Sequence, residues 1–221
     1  MVGINQMIKI IYEDNHLLVV EKPINIPVQK DESNDLDLLT MLKKYLKDKY
    51  QKPGNVYLGL VHRLDRPVGG IMVFAKTSKC ATRLSEQMKN SQFYKVYNAV
   101  VLGNINSSGT FVDYLVKDRK NNIVKVDKEG KKAILNYEKI KTVNNLSLVK
   151  INLQTGRSHQ IRVQFSSRNY PLYGDQKYNS HAIKNTQIAL FAKELSFNHP
   201  ITKERLCFSL PLPNKYPWNL F

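Results

Sequence analysis

The chain is built from short apolar runs separated by turn-forming residues, and this punctuation limits what it can fold into. Runs of that length, rich in β-branched and aromatic residues, read as strands. Residues 8–12 (IKIIY) and 16–21 (HLLVVE) flank Glu13-Asp14-Asn15, a turn signal. Lys22-Pro23 then closes the hairpin, because proline has no N–H to give a ladder. Residues 71–75 (IMVFA), directly after Gly69-Gly70, are apolar without alternation, the mark of a strand covered on both faces. Further strands are expected at residues 94–102 and 146–153, and late in the chain at 188–197 and 205–210. Residues 109–140 alternate short strands with Lys, Asn and Gly turns, which predicts an exposed hairpin excursion.

Helical spacing is rarer. Leu36, Leu39, Leu42 and Leu46 recur on one face, with Asn34 or Asp35 as N-cap, until Pro53-Gly54-Asn55 breaks the pattern. Thr77 or Ser78 caps a second helix that carries Ala81, Leu84 and Met88 on one side. A short third helix spans about residues 158–167, before a loop at 171–175. Strands and helices without strict βαβ alternation predict an α+β fold with a mixed, mostly antiparallel sheet flanked by helices. No repeat, low-complexity tract or Pro/Gly/Ser-rich linker divides the chain, so residues 1–221 read as one domain.

Lysine and arginine number 34 against 18 aspartates and glutamates, a net charge of +16. Such an excess attracts polyanions, although a lysine-rich solvated surface gives the same count. The densest basic stretches are Lys43-Lys44, Lys47, Lys49 and Lys52, and then residues 117–132. A hydrophobic content of 42% excludes a disordered tail protein. No apolar run approaches the ~20 residues of a membrane helix, and the N-terminus lacks a secretory leader. Cys80 and Cys207 fit neither a metal spacing nor a disulfide framework, so a cytoplasmic protein with no membrane partner is expected. The phosphate-binding, dinucleotide-binding and nucleophile-elbow glycine motifs are missing from the sequence. His16, His62, His159, His181 and His199 form no zinc pattern, so an enzyme here is expected to use no metal and no cofactor.

Two polar clusters carry chemistry. In residues 60–70 (LVHRLDRPVGG) Arg63 and Arg66 flank Asp65, and nearby cations favour an ionised carboxylate ready to act as nucleophile or base. In residues 153–163 (LQTGRSHQIRV) Arg157, His159 and Arg162 crowd the start of the third helix, where free N–H groups also attract anions. Taken singly, the first is equally a salt-bridged turn and the second a capped helix.

Together, and in this order, they resemble the RluA-type family of RNA pseudouridine synthases, the form without an N-terminal S4 RNA-binding domain. His62-Arg63-Leu64-Asp65, running on to Phe74-Ala75-Lys76, matches the family's hallmark. The resemblance extends over almost the whole chain. It takes in Tyr12-Glu13-Asp14, Val19-Val20-Glu21-Lys22-Pro23, Lys95-x-Tyr97-x-Ala99-x-Val101, Gly130 to Ala133, Pro171-x-x-Gly174-Asp175, and Leu195-x-Phe197-x-His199-Pro200.

The resemblance implies isomerisation of uridine within RNA, ribosomal more than transfer RNA, in a central active-site cleft; the sequence is silent on oligomeric state, and a monomer is the expectation. The N1–C1′ bond is cleaved, the bound uracil turns, and C5 joins C1′. Asp65 matches the essential aspartate, which either attacks C1′ or removes a C2′ proton. Tyr97 matches the tyrosine that stacks on the flipped base, and Arg162 the arginine that pairs with the aspartate. Arg63 matches the arginine that helps extrude the nucleotide, and Leu190 an aliphatic contact on the other face of the base. His62, Arg66, Arg157, His159 and Gln160 complete the expected RNA contacts. The sequence departs from the family pattern at Gly69, Gln164 and Phe191, which touches local contacts more than the reaction. Two rival readings are a non-catalytic RNA-binding or ribosome-assembly factor that keeps the fold, and a nucleosidase using Asp175 as a second carboxylate.

Overall fold

The computed structural model describes residues 8–221; the expectation that the chain opens without a leader falls partly on residues 1–7, outside that range. In chain order the elements are β1 (Lys9–Glu13), β2 (Leu17–Lys22), α1 (Leu38–Lys49), β3 (Gly59–Leu60), β4 (Gly69–Ala75), α2 (Ser78–Lys89), β5 (Tyr94–Leu102), β6 (Ser108–Asp118), β7 (Ile123–Val126), β8 (Lys131–Val143), β9 (Leu146–Leu153), α3 (Gln160–Ser166), β10 (Leu190–Asn198) and β11 (Arg205–Ser209). They gather into two compact units, one running through Tyr94 plus Ala192–Leu210, the other Lys95–Phe191 plus Pro211–Phe221.

In the first unit the strand order is β1-β2-β4-β10, with β3 added to β4 and β11 to β10. All seven residues of β4 are buried, as its unbroken apolar run predicts. The side chains of Ile71, Met72, Val73 and Phe74, fully removed from water, each contribute roughly 1.5–3 kcal/mol. The strand begins at the glycine pair itself, opposite Lys22. Gly70 has φ +125°, and a Cβ there would stand 2.2 Å from the Ala192 carbonyl oxygen, so only glycine lets the strand start in this place.

Helix α1 starts later than expected. Its N-cap is Asp37, whose carboxylate accepts from the Thr40 N–H at 3.0 Å, and not Asn34 or Asp35. Leu36, expected on the apolar face, is 59% exposed. Contacts far away in sequence decide this: the N–H groups of Leu38 and Leu39 donate to the carbonyls of Pro27 and Val28, while Asp35 turns to Arg66. Leu38, Met41, Leu42 and Leu46 form the buried face. Helix α2 is capped by Thr77, as its sequence predicts.

Glu13, at the end of β1, ties three elements together. It accepts from Lys49 Nζ (2.7 Å) and from the hydroxyls of Tyr45 (2.8 Å) and Tyr50 (2.6 Å) at the end of α1. Lys76, just past β4, adds a bond at 3.1 Å. Burial alone would raise this carboxyl, but the four donors outweigh it and hold the pKa at about 2.

The second unit carries the antiparallel order β5-β9-β8-β6-β7. Here the expected exposed excursion is corrected. Strand β8 pairs with β9 along most of its length, and Phe111, Leu115, Ala133, Leu135 and Tyr137 are buried. Leu115, Val124 and Ala133 share a core cluster with Val163 of α3, and Tyr178 packs on it. The period-two alternation of β6 and β8 was the signal: one face is wet and the other belongs to the core.

The Glu13 network gives a pH-dependent stability. Because its folded pKa is depressed from 4.5, its contribution is fully present above pH 4.5 and is lost as pH falls through about 2. Glu13→Gln is expected to cost about 1–3 kcal/mol at neutral pH. In urea melts at stepped pH, the gap between variant and wild type should narrow steadily below pH 4.5.

Candidate active site

Asp65 sits on the loop between β3 and β4, partly exposed, in a turn closed by a 2.9 Å bond from the Val68 N–H to its own carbonyl. The loop is held from both ends. His62 accepts the Val73 N–H at Nε2 (3.1 Å), which places its proton on Nδ1, and its ring rests edge-on against Phe93. Leu64 and Val68 are buried on either side of Asp65.

The other anchor is Lys22, which the sequence reading did not include among the site residues. Its ammonium is buried and donates to three carbonyls, those of Pro23, Arg66 and Val68, each at 2.9 Å. Burial pushes its pKa down to about 7, against the opposing pull of the Asp65 carboxylate. A lysine closing a buried strand directly before proline was the available signal.

Of the arginines around Asp65, Arg63 is exposed, while Arg66 turns away to the 31–35 loop. Arg66 binds Asp35 and Ser33 and lies 3.9 Å from Asp31. It therefore fastens one loop to another as well as facing solvent.

In the second unit Tyr97 is buried on β5, opposite Ile151 of β9. Arg162, on α3, makes a two-pronged pair with Asp175: Nε to Oδ2 at 2.8 Å and Nη2 to Oδ1 at 2.6 Å, both side chains buried. Asp175 also accepts the N–H groups of Lys177 and Tyr178. With two bonds accepted from Arg162 and two from backbone N–H groups, this buried carboxylate is held ionised, which leaves it unsuited to the second acid of a nucleosidase. The Arg162 guanidinium lies 5.1 Å from the centre of the Tyr178 ring.

The second cluster needs two corrections. Helix α3 begins at Gln160, so Arg157 and His159 precede it; His159 is left-handed (φ 50°) and gives no side-chain cap. Its Nδ1 meets the Tyr178 hydroxyl at 2.6 Å. Gln160, expected to touch RNA, is buried, with its amide spent on Thr155 Oγ1, the Arg157 N–H and the Ile134 carbonyl. It shapes the 155–157 loop from inside. Arg157 is exposed and, among the described residues, uses only Nε, on the Lys132 carbonyl. Leu190 is buried at the start of β10.

The two basic stretches also separate. Lys49 is drawn to Glu13, and Lys44 pairs with Asp48, whereas Lys43, Lys44 and Lys47 line a hollow of about 630 Å³ with Asn55 and Val56. Lys117, Arg119, Lys120, Lys125, Lys128 and Lys131 are all exposed on and around β6, β7 and β8. Among the described residues no group of three or more His, Cys, Asp or Glu is placed to hold a metal, and no helix is long and apolar enough to cross a membrane.

The model of the RNA pseudouridylate synthase family matches residues 16–167. Ribosomal large subunit pseudouridine synthase D of Pseudomonas aeruginosa is 33% identical over 230 residues, covering 96% of this chain and 71% of that protein. Synthase C of Buchnera aphidicola is 34% identical over 215 residues, covering 92% of this chain and 66% of that one. The structure of human RNA pseudouridylate synthase domain containing 4 superposes with a TM-score of 0.78 at 22% identity, over 93% of this chain and 88% of that one, which shows the same fold. The chain belongs to the RNA pseudouridylate synthase family. Within that family it is of the RluA type, an RNA pseudouridine synthase.

Breaking the Arg162–Asp175 pair tests how the second cluster is held. Asp175→Asn removes the charge that faces a buried guanidinium and is expected to cost about 3–5 kcal/mol in urea unfolding, with a large fall in activity.

Proposed function

We propose that this synthase acts on ribosomal RNA of the large subunit, with residues 1–221 working as one catalytic domain and Asp65 as the carboxylate that acts at the ribose. The observation that carries the assignment of Asp65 is its setting. A partly exposed carboxylate lies on a turn whose own carbonyls are gathered by a buried ammonium, so its position is fixed before substrate arrives. Support for the substrate comes from the relatives whose names specify the large ribosomal subunit, and from the +16 charge.

In this reading the N1–C1′ bond breaks with Asp65 acting at the sugar, the uracil turns in place, and C5 bonds to C1′. The C5 hydrogen then leaves as a proton and N1 ends protonated. Tyr97 stacks on the base, an apolar ring with a polar tip. Arg162, rigidly held by Asp175, is the cation that the family resemblance pairs with the aspartate. Arg63 assists extrusion of the nucleotide, and Leu190 packs on the base. The exposed cations of residues 117–132 supply phosphate contacts that tolerate any sequence.

The reaction expels the hydrogen of C5, so ribosomal RNA labelled with tritium there reports turnover without knowledge of the site. Wild type should release tritium to water from RNA of a strain lacking the gene. Asp65→Asn should release none while keeping RNA affinity within about threefold, since it removes the reactive charge and little surface. Full release by that variant removes Asp65 from the reaction, and tight binding without release by wild type favours the assembly-factor reading.

Reversing the charge of Lys125, Lys128 and Lys131 together should weaken binding and flatten its salt dependence. An unchanged slope in filter binding across a salt series excludes these lysines from the RNA surface.

A further inference from the structure

Lys95 stands two residues before Tyr97 on β5, so the two side chains leave the same face of the strand. It is partly buried, and its ammonium lies beneath the 155–157 loop: a Cβ at Gly156 would stand 3.1 Å from Lys95 Nζ. Two other sequestered amines are satisfied, Lys22 by three carbonyls and Lys76 by Glu13 and the Asp14 carbonyl. Lys95 differs from them. Among the described residues it has no hydrogen bond and no carboxylate partner. Burial alone lowers its pKa, with no neighbouring charge opposing the shift.

The loop above it offers nothing that would neutralise it. Thr155 Oγ1 and the Arg157 N–H are committed to Gln160, and Gly156 is exposed to solvent. Arg157 follows directly, with only its Nε engaged among the described residues. Two cations thus bracket a residue with no side chain, on the Tyr97 face of the strand, with no acid between them. A cation held in a partly dry site without an anion is costly unless an anion arrives with the substrate.

Resting on the synthase reading above, we propose that Lys95, with Gly156 over it and Arg157 at its rim, is a seat for an RNA phosphodiester beside the target uridine. Glycine at 156 keeps the seat open; any side chain there would lie over the ammonium. Lys95 positions the substrate through its backbone and takes no part in bond making.

The test compares wild type, Lys95→Met, Gly156→Val and, as a surface control, Lys79→Met, on large-subunit ribosomal RNA transcribed in vitro. Filter binding across a salt series and tritium release are both measured. Lys95→Met should bind about tenfold more weakly, with the log–log salt slope smaller by about one, while its melting temperature holds or rises because an unpaired buried charge is gone. Gly156→Val, which keeps the charge and blocks the seat, should also bind several-fold more weakly. This second variant carries the test if Lys95→Met does not fold. Active wild type with unchanged affinity and slope in Lys95→Met, or unchanged affinity in Gly156→Val, overturns the seat and leaves the synthase assignment standing. Wild type that neither binds nor releases tritium overturns both.

Discussion

One buried ammonium organises the loop that carries Asp65. Lys22 draws the carbonyls of Pro23, Arg66 and Val68 to a single point, and two of these belong to the turn that presents Asp65. A carbonyl left unpaired in such a place costs about 1–3 kcal/mol, so the turn has little freedom to relax while Lys22 is charged. The strand that delivers Lys22 lies beside the fully buried β4, and the glycine that lets β4 begin is paired with that same lysine. Hydrophobic burial therefore sets where the cation goes, and the cation sets the shape of the loop.

The net charge looks different once individual cations are followed. Lys22, Lys49, Lys76, Arg66, Arg162 and Arg168 are engaged in carbonyl cages or ion pairs and hold the fold together. The cations from Lys117 to Lys131 face solvent. A count of +16 thus mixes structural charge with charge available to a polyanion, and only the second kind attracts RNA.

How much was legible beforehand follows the range of the interactions involved. The buried strand at 71–75, the Thr77 cap and the hairpin at the start rest on neighbouring residues, and local pattern revealed them. The start of α1 rests on Pro27 and Val28, and the Glu13 network joins three elements, so no local window contained them. The motifs exposed Asp65 and Arg162 but not what supports them. Asp175 stands out only as a loop residue, Tyr178 does not stand out at all, and Gln160 is expected at the RNA only from the family motif it belongs to. Whether an amide faces inward depends on where Ile134 lies, and that is a property of the folded chain.

The Tyr178 hydroxyl has a consequence for how strain would travel. It accepts the Val124 N–H of β7 at 2.9 Å and meets His159 Nδ1, while its ring lies against the Arg162 guanidinium. The lysine-bearing strands are thus riveted to the arginine's support at one atom, over a shared apolar cluster. A mechanical load on the tip of that hairpin would be borne by the same side chain that braces Arg162. A polymer gripping those lysines would pull on a stiff lever and not on a loose arm.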